Sequence, residues 1–164
     1  MKRDRALVRR IDDAMAEAVR RSGKWVVCRL GCTECCQGEF EITALDGLRL
    51  RAGMEQLGEE EAGRIRARAA EWSGEGACPL LEVESGACLL YEWRPLTGRT
   101  FGPATTTLED GGIAVCEKCY AGASAQETAL CAVSVDDQGL ERELLAELRE
   151  PAGPLTVARA LLDY

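Results

Sequence analysis

The chain has 164 residues, a length that suits one domain over 1–164, and a formal net charge of −8 at pH 7. It contains nine cysteines and no histidine, which excludes His-dependent catalytic triads and histidine-ligated metal sites. An acidic chain is repelled by nucleic-acid phosphates and anionic lipids, and we find no apolar run typical of a signal peptide or a membrane span. We therefore expect a cytoplasmic protein that binds neither nucleic acid nor membrane. An unidentified protein partner is also expected.

Helices dominate the first part of the predicted fold. Apolar residues at three- and four-residue steps predict a helix over about 4–21. Thr43 is placed to cap a second helix over about 44–52. Gly58 precedes a third helix, EEEAGRIRARAAEW, whose acids come first and whose arginines come later, the order that the helix dipole favours.

The later part of the chain mixes strands, loop and helix. CPLLEVESGACLLYEW, two apolar runs around a polar turn, predicts a β-hairpin, and IAVC predicts a short strand after a loop over 102–112. Two C-terminal helices are predicted within about 139–163, one ending before Pro151 and one beginning at Pro154. The predicted fold is α+β and mostly helical, a small metal-nucleated domain with a cysteine-lined irregular centre and a short hairpin.

Eight of the nine cysteines fall into three groups along the sequence. The candidate metal ligands are Cys28, Cys32, Cys35, Cys36, Cys78, Cys88, Cys116 and Cys119. In a reducing compartment such clusters indicate metal binding rather than disulfides. A disulfide across the hairpin and an inert, thiol-rich core are the alternatives. The isolated Cys131 is expected to be a buried, small apolar residue.

The loop CRLGCTECC holds the densest group of cysteines. Spacings of two or three residues let successive sulfurs converge, so we predict that Cys28, Cys32 and Cys35 are ligands of one centre. Because adjacent side chains are expected to diverge, Cys36 is predicted to serve a neighbouring centre or to lie outside the ligand set. The remaining ligands are expected from the two later cysteine pairs.

Two segments of the chain resemble a known family of cysteine-cluster proteins described as zinc- or iron-chelating domains. CRLGCTECC is similar to the family's first motif, and CPLLEVESGACLLYEWRPLTGR is similar to its second. The second motif is matched at Tyr91, Arg94, Pro95 and Arg99. The resemblance spans a core of about 25–120 and implies metal chelation. The family has a further cysteine where this chain has Gly98, and we hypothesise that the pair CEKC at 116–119 replaces it.

The resemblance and the ligand type leave two cofactors open, an iron–sulfur cluster and zinc, since both accept all-cysteine ligand sets. The dense loop favours iron–sulfur, with a 4Fe–4S cluster preferred. Either centre on four thiolates carries a charge of about −2, so it needs hydrogen-bond donors around it. The expected donors are Arg29, Arg94, Arg99 and Lys118. Tyr91 and Trp93 are expected to form walls of the site.

Three functions are consistent with this pattern. The first is a metal-binding protein, more a carrier or sensor than an enzyme, that transfers electrons, senses redox state or delivers metal. The second is a small enzyme or accessory subunit that modifies a protein or small molecule through an open position on its metal. The third is a structural zinc module that holds a partner-binding surface together.

Overall fold

This computed structural model describes residues 2–106, 111–135, 139–148 and 155–162. These residues contain seven helices and seven short strands, joined by turns and loops. The helices are Lys2–Ser22 (α1), Ala44–Met54 (α2), Glu59–Glu71 (α3), Leu96–Thr100 (α4), Ala125–Cys131 (α5), Leu140–Leu148 (α6) and Val157–Leu162 (α7). The strands are Glu41–Ile42 (β1), Leu81–Glu82 (β2), Ala87–Cys88 (β3), Thr105–Thr106 (β4), Ile113–Ala114 (β5), Val133–Ser134 (β6) and Leu155–Thr156 (β7). The predicted α+β, mostly helical fold with clustered cysteines is confirmed.

Most elements lie where the sequence predicts them, including α1, α2, α3, α6, the β2–β3 hairpin and β5. Thr43 caps α2 as expected, because its hydroxyl accepts from the Asp46 N–H while the Asp46 carboxylate accepts from the Thr43 N–H. Two predictions are wrong. The loop predicted over 102–112 contains β4. The last helix begins at Val157, after β7, rather than at Pro154, which lies outside the described residues along with Pro151.

The chain divides into two compact units. Unit 1 comprises Met1–Arg29 and Arg99–Glu147, and unit 2 comprises Leu30–Gly98 and Leu148–Tyr164. No described helix is both long enough and apolar enough to cross a membrane.

Unit 1 is built on α1, which packs against α5 and β6. Beside it lies a three-stranded sheet in which β4 pairs antiparallel with β5 and parallel with β6. The buried Arg99 guanidinium donates to both carboxylate oxygens of Asp12 on α1, at 2.9 and 2.8 Å. The unit also has a small buried cluster that contains three cysteines; its members are Ala104, Cys116, Cys119, Tyr120 and Cys131.

Unit 2 buries the apolar faces of α2, α3 and α7 against one another. The short antiparallel pair β1–β7 joins the segment before α2 to the segment before α7. The ring of Trp93 packs so closely on α2 that a methyl group added at Gly53 would lie 2.6 Å from its Cγ atom. This contact fixes the 3₁₀ turn Tyr91–Trp93, which directly follows the hairpin and precedes Arg94.

Candidate metal centre

The cysteine loop of unit 2 contains a 3₁₀ turn over Glu34–Cys36, closed by the Cys36 N–H donating to the Thr33 carbonyl at 2.9 Å. In this turn the Cys35 and Cys36 sulfurs lie 3.9 Å apart. The expectation that these adjacent side chains diverge is therefore wrong. Side chains alternate between two faces in a strand but not in a helical turn, and here the two sulfurs face each other.

Backbone pairing brings Cys78 beside the same loop. Gln37 forms a bridge with Ala77, and the Cys78 N–H donates to the Cys36 carbonyl at 2.8 Å. The Gly38 N–H extends the pairing by donating to the Gly76 carbonyl at 2.8 Å. In this antiparallel register Cys36 and Cys78 are directly opposite each other, so their side chains are cross-strand neighbours.

The hairpin then adds Cys88. Cys88 is the register partner of Leu81, whose N–H donates to the Cys78 carbonyl at 2.9 Å. Burial, with a smaller contribution from the charge of Cys88, raises the pKa of Cys78 to about 11. Burial likewise raises the pKa of Cys88. We call Cys35, Cys36, Cys78 and Cys88 the four-cysteine cluster, since each of these sulfurs lies close enough to another to affect its ionisation.

Hydrogen-bond donors and arginines surround the four-cysteine cluster. The backbone N–H groups of Leu80 and Leu90 donate to the sulfurs of Cys78 and Cys88. The charge of Arg94 lowers the pKa of Cys35 and Cys88, and the charge of Arg68 acts on Cys78 in the same way. Both kinds of group favour thiolates, the form in which cysteine binds metal. Arg68 lies in α3, outside every cysteine motif, so no sequence pattern marked it as a residue of the site.

Cys35 and Cys36 act on each other's ionisation. The hydrogen bond between their sulfurs lowers the pKa of Cys35 and raises that of Cys36. A bound cation would stabilise both thiolates, so metal binding would release protons from the cluster.

Arg94 is held in place by its neighbours. Its guanidinium lies 3.8 Å from the centre of the Tyr91 ring, and its Nη1 donates to the Tyr91 carbonyl at 3.1 Å. Tyr91 itself is 57% exposed, so the expectation that it forms a wall of the site is wrong. Trp93 packs against the apolar core of unit 2 and supports the turn that carries Arg94.

Unit 1 brings together three other cysteines, which we call the three-cysteine group: Cys28, Cys116 and Cys119. The sulfurs of Cys28 and Cys119 lie 3.8 Å apart. The Cys28 sulfur rests on Gly102, where an added methyl group would lie 2.7 Å away, and the Gly102 carbonyl accepts from the Cys116 N–H at 3.2 Å. Gly102 therefore touches two members of the group, a role that its position in an irregular loop did not reveal.

The remaining candidates are placed as follows. Cys131 is buried, as predicted, and its thiol donates to the Arg21 carbonyl at 3.5 Å. Arg29 and Lys118 are exposed, and Arg99 is paired with Asp12, so their roles as sulfur donors stay predictions. Cys32 is half-buried in unit 2, whereas Cys28 belongs to unit 1. That Cys28, Cys32 and Cys35 share one centre also stays a prediction.

All nine cysteines lie in described residues and none of them forms a disulfide, so Cys78 is not joined to Cys88. Within the described residues no three Cys, Asp or Glu side chains are arranged so that together they could hold a metal ion. The donors are nevertheless of the right kind, because soft thiolates suit zinc and iron. The two close sulfur pairs also match the spacing of about 3.8 Å between neighbouring ligands of a tetrahedral ion with Zn–S bonds of about 2.3 Å. Metal binding would therefore require the other cysteine side chains of each group to turn inward.

Comparison with known proteins gives one match. Residues 27–120 match the model of a family described as "putative zinc- or iron-chelating domain", with the motif name CxxCxxCC. The match begins just before Cys28 and ends just after Cys119, so both cysteine groups lie inside it. No curated protein and no solved structure matches the chain.

Proposed function

The chain belongs to the CxxCxxCC family of zinc- or iron-chelating domains, and from that membership we propose that the four-cysteine cluster of unit 2 is a metal centre. Four thiolates from two loop segments and a hairpin would hold a single tetrahedral ion, with zinc the first candidate. The observation that carries this proposal is the 3.9 Å separation of the Cys35 and Cys36 sulfurs, directly beside the backbone pairing of Cys36 with Cys78.

The sulfur spacing bears on the choice between zinc and iron–sulfur. In a single-ion site all four thiolates share one metal, so neighbouring sulfurs are close together. In a 4Fe–4S cluster each thiolate binds a different iron, which spreads the sulfurs apart. The close Cys35–Cys36 pair therefore supports a single ion, although the sequence alone favours a 4Fe–4S cluster.

A 4Fe–4S cluster is the second candidate, and the donors around the cysteines favour it. Hydrogen bonds to cluster sulfurs and nearby charges set the reduction potential of an iron–sulfur centre. Leu80 and Leu90 donate N–H groups to two sulfurs, and the charge of Arg94 acts on two. With this cofactor the chain would transfer electrons or sense redox state.

A tetrahedral ion bound by four protein ligands has no open position for a substrate. A binding or structural role is therefore favoured over catalysis. Such a centre would also stabilise unit 2, because it would join the cysteine loop to a hairpin whose strands are only two residues long. The protein partner expected from the sequence stays a prediction.

Elemental analysis of the anaerobically purified chain tests the proposal. We expect a colourless protein that contains zinc and no acid-labile sulfide. Brown protein with iron and sulfide in similar amounts would replace the single-ion centre with an iron–sulfur cluster. Protein that contains neither metal, and that takes up neither on reconstitution, would contradict the proposed function altogether.

A further inference from the structure

The three-cysteine group of unit 1 has features of a metal site in its own right. The Cys28 and Cys119 sulfurs lie 3.8 Å apart, the separation of two ligands on one tetrahedral ion. The third member, Cys116, starts the turn that Cys119 closes by donating its N–H to the Cys116 carbonyl at 2.9 Å. A Cys-x2-Cys turn of this kind is a usual half of a metal site.

The backbone on either side is shaped to fit these sulfurs. Gly102 has a φ of +117°, in the region that only glycine adopts readily, and its missing side chain leaves the space that the Cys28 sulfur occupies. Tyr120, directly after Cys119, is a non-glycine residue with a φ of 60°. Such strain costs on the order of 1–3 kcal/mol and is typical of functional sites.

Tyr120 holds this strained turn in place through three contacts within unit 1. Its hydroxyl accepts from the Ala104 N–H at 3.0 Å and bonds the Ser22 hydroxyl, and its N–H donates to the Trp25 carbonyl at 2.9 Å. These contacts keep the Cys116–Cys119 turn next to the segment that leads to Cys28.

We propose that Cys28, Cys116 and Cys119 form a second metal centre, made of unit 1 residues alone, that binds one soft divalent ion such as zinc. Three thiolates leave one position of a tetrahedral ion for a ligand that they do not supply. Cys131, the other cysteine of unit 1, is engaged with the Arg21 carbonyl. Cys28 is exposed, whereas Cys116 and Cys119 are buried, so the ion is reached from the Cys28 side. This centre exchanges its ion more readily than the four-cysteine cluster does.

Metal counting on the 164-residue chain tests the second centre independently of the first. We expect two zinc ions per chain in the wild type and one in Cys119→Ser, with the faster of two release phases into a chelator missing from that variant. Cys131→Ser is the matched control, a buried cysteine of the same unit, and should retain both ions. If Cys119→Ser retains the full metal content, or if it loses both ions together, the second centre is disproved. A wild type with one ion that Cys119→Ser loses and Cys78→Ser keeps would support this centre while contradicting the proposed function of the four-cysteine cluster.

A glycine pair tests the same centre without removing a thiol. Gly102→Ala places a methyl group against the Cys28 sulfur, so we expect it to lose the ion of unit 1 while keeping all nine cysteines. Gly111 also has a positive φ, of +68°, but a methyl group added there meets nothing within 4 Å, so Gly111→Ala should keep both ions. Equal metal content in the two variants would overturn the role assigned to Gly102. Circular dichroism of both variants checks that unit 1 remains folded.

Discussion

The two cysteine groups use the same ligand type but are supported in different ways. The four-cysteine cluster lies on paired backbone segments, and its sulfurs accept hydrogen bonds from the N–H groups of Leu80 and Leu90. The charges of Arg68 and Arg94 lower the pKa values of its cysteines. The three-cysteine group lies instead among apolar side chains, with a glycine shaped to admit one sulfur. Ligand identity alone therefore does not define a site, because the surrounding donors decide how firmly a metal is held.

Removing one ligand of the four-cysteine cluster should have the largest effect. We expect Cys78→Ser to lose the ion of unit 2. A ligand present at 1,000 times its Kd stabilises the folded state by about 4 kcal/mol, so the melting temperature should fall by about 8–16 °C. Metal analysis and thermal unfolding measure both effects. Cys131→Ser serves as the control, and equal metal content in the two variants would contradict the assignment of Cys78.

The scaffold of unit 2 can be perturbed without touching a cysteine. Gly53→Ala forces a methyl group against the Trp93 ring and should cost about 1–3 kcal/mol of stability, as overpacking does. Gly63→Ala, in α3, meets nothing within 4 Å and should stabilise the helix by about 0.5–1 kcal/mol. Chemical denaturation of the two variants measures the difference. Similar stabilities would show that the Trp93 contact does not constrain the turn before Arg94.

Loss of a supporting charge should weaken metal binding without abolishing it. Arg94→Gln removes a positive charge that favours the Cys35 and Cys88 thiolates, and we expect about a tenfold loss of zinc affinity, the lower end for residues that support ligands. Competition with a chromophoric chelator measures it. Arg64→Gln, on α3 of the same unit, should bind zinc as the wild type does. Unchanged zinc affinity in Arg94→Gln would show that the charge of Arg94 does not support metal binding.

The smallest expected effect is the pH dependence of the metal-free chain. The pKa of Cys78, raised by burial from 9.0 to about 11, means that the folded state favours the neutral thiol. This stability is present below pH 9 and is lost as pH rises through 11, with about 1 kcal/mol lost by pH 10. Urea unfolding of the metal-free chain at pH 8 and pH 10 should show that loss, and Cys78→Ala should reduce it by the same amount. An identical pH response in the variant would mean that burial of Cys78 has no such consequence.

The sequence predicted the elements that depend on local chemistry. The apolar period of α1 and the Thr43 cap of α2 are signals within a few residues of the helix they specify. The helix α5 was not predicted, although Ser124 and Glu127 form a capping box like that of Thr43 and Asp46. The helix has only seven residues, too few for a clear apolar period. The pairing of β1 with β7 joins segments far apart in the chain, and strands of two residues carry no periodic signal.

The candidate sites were predicted as a set of residues but not as groups. Spacing suggested that Cys28 belongs with Cys32 and Cys35, yet the structure places Cys28 against Cys119. Which sulfurs meet depends on tertiary contacts such as those of Gly102, and these contacts leave no pattern near the cysteines. Arg94 was found because it lies in a motif beside the hairpin, whereas the N–H donors of Leu80 and Leu90 depend on backbone geometry, which the sequence does not specify.

Native mass spectrometry of the anaerobically purified chain, beside Cys78→Ser, tests whether the four-cysteine cluster binds its own single ion. The wild type should exceed its metal-free mass by whole zinc ions with no added sulfide, and Cys78→Ser should lack one of these ions and keep the rest. A mass excess equal to four irons and four sulfides, or a Cys78→Ser spectrum with the same metal as the wild type, would contradict that single-ion centre.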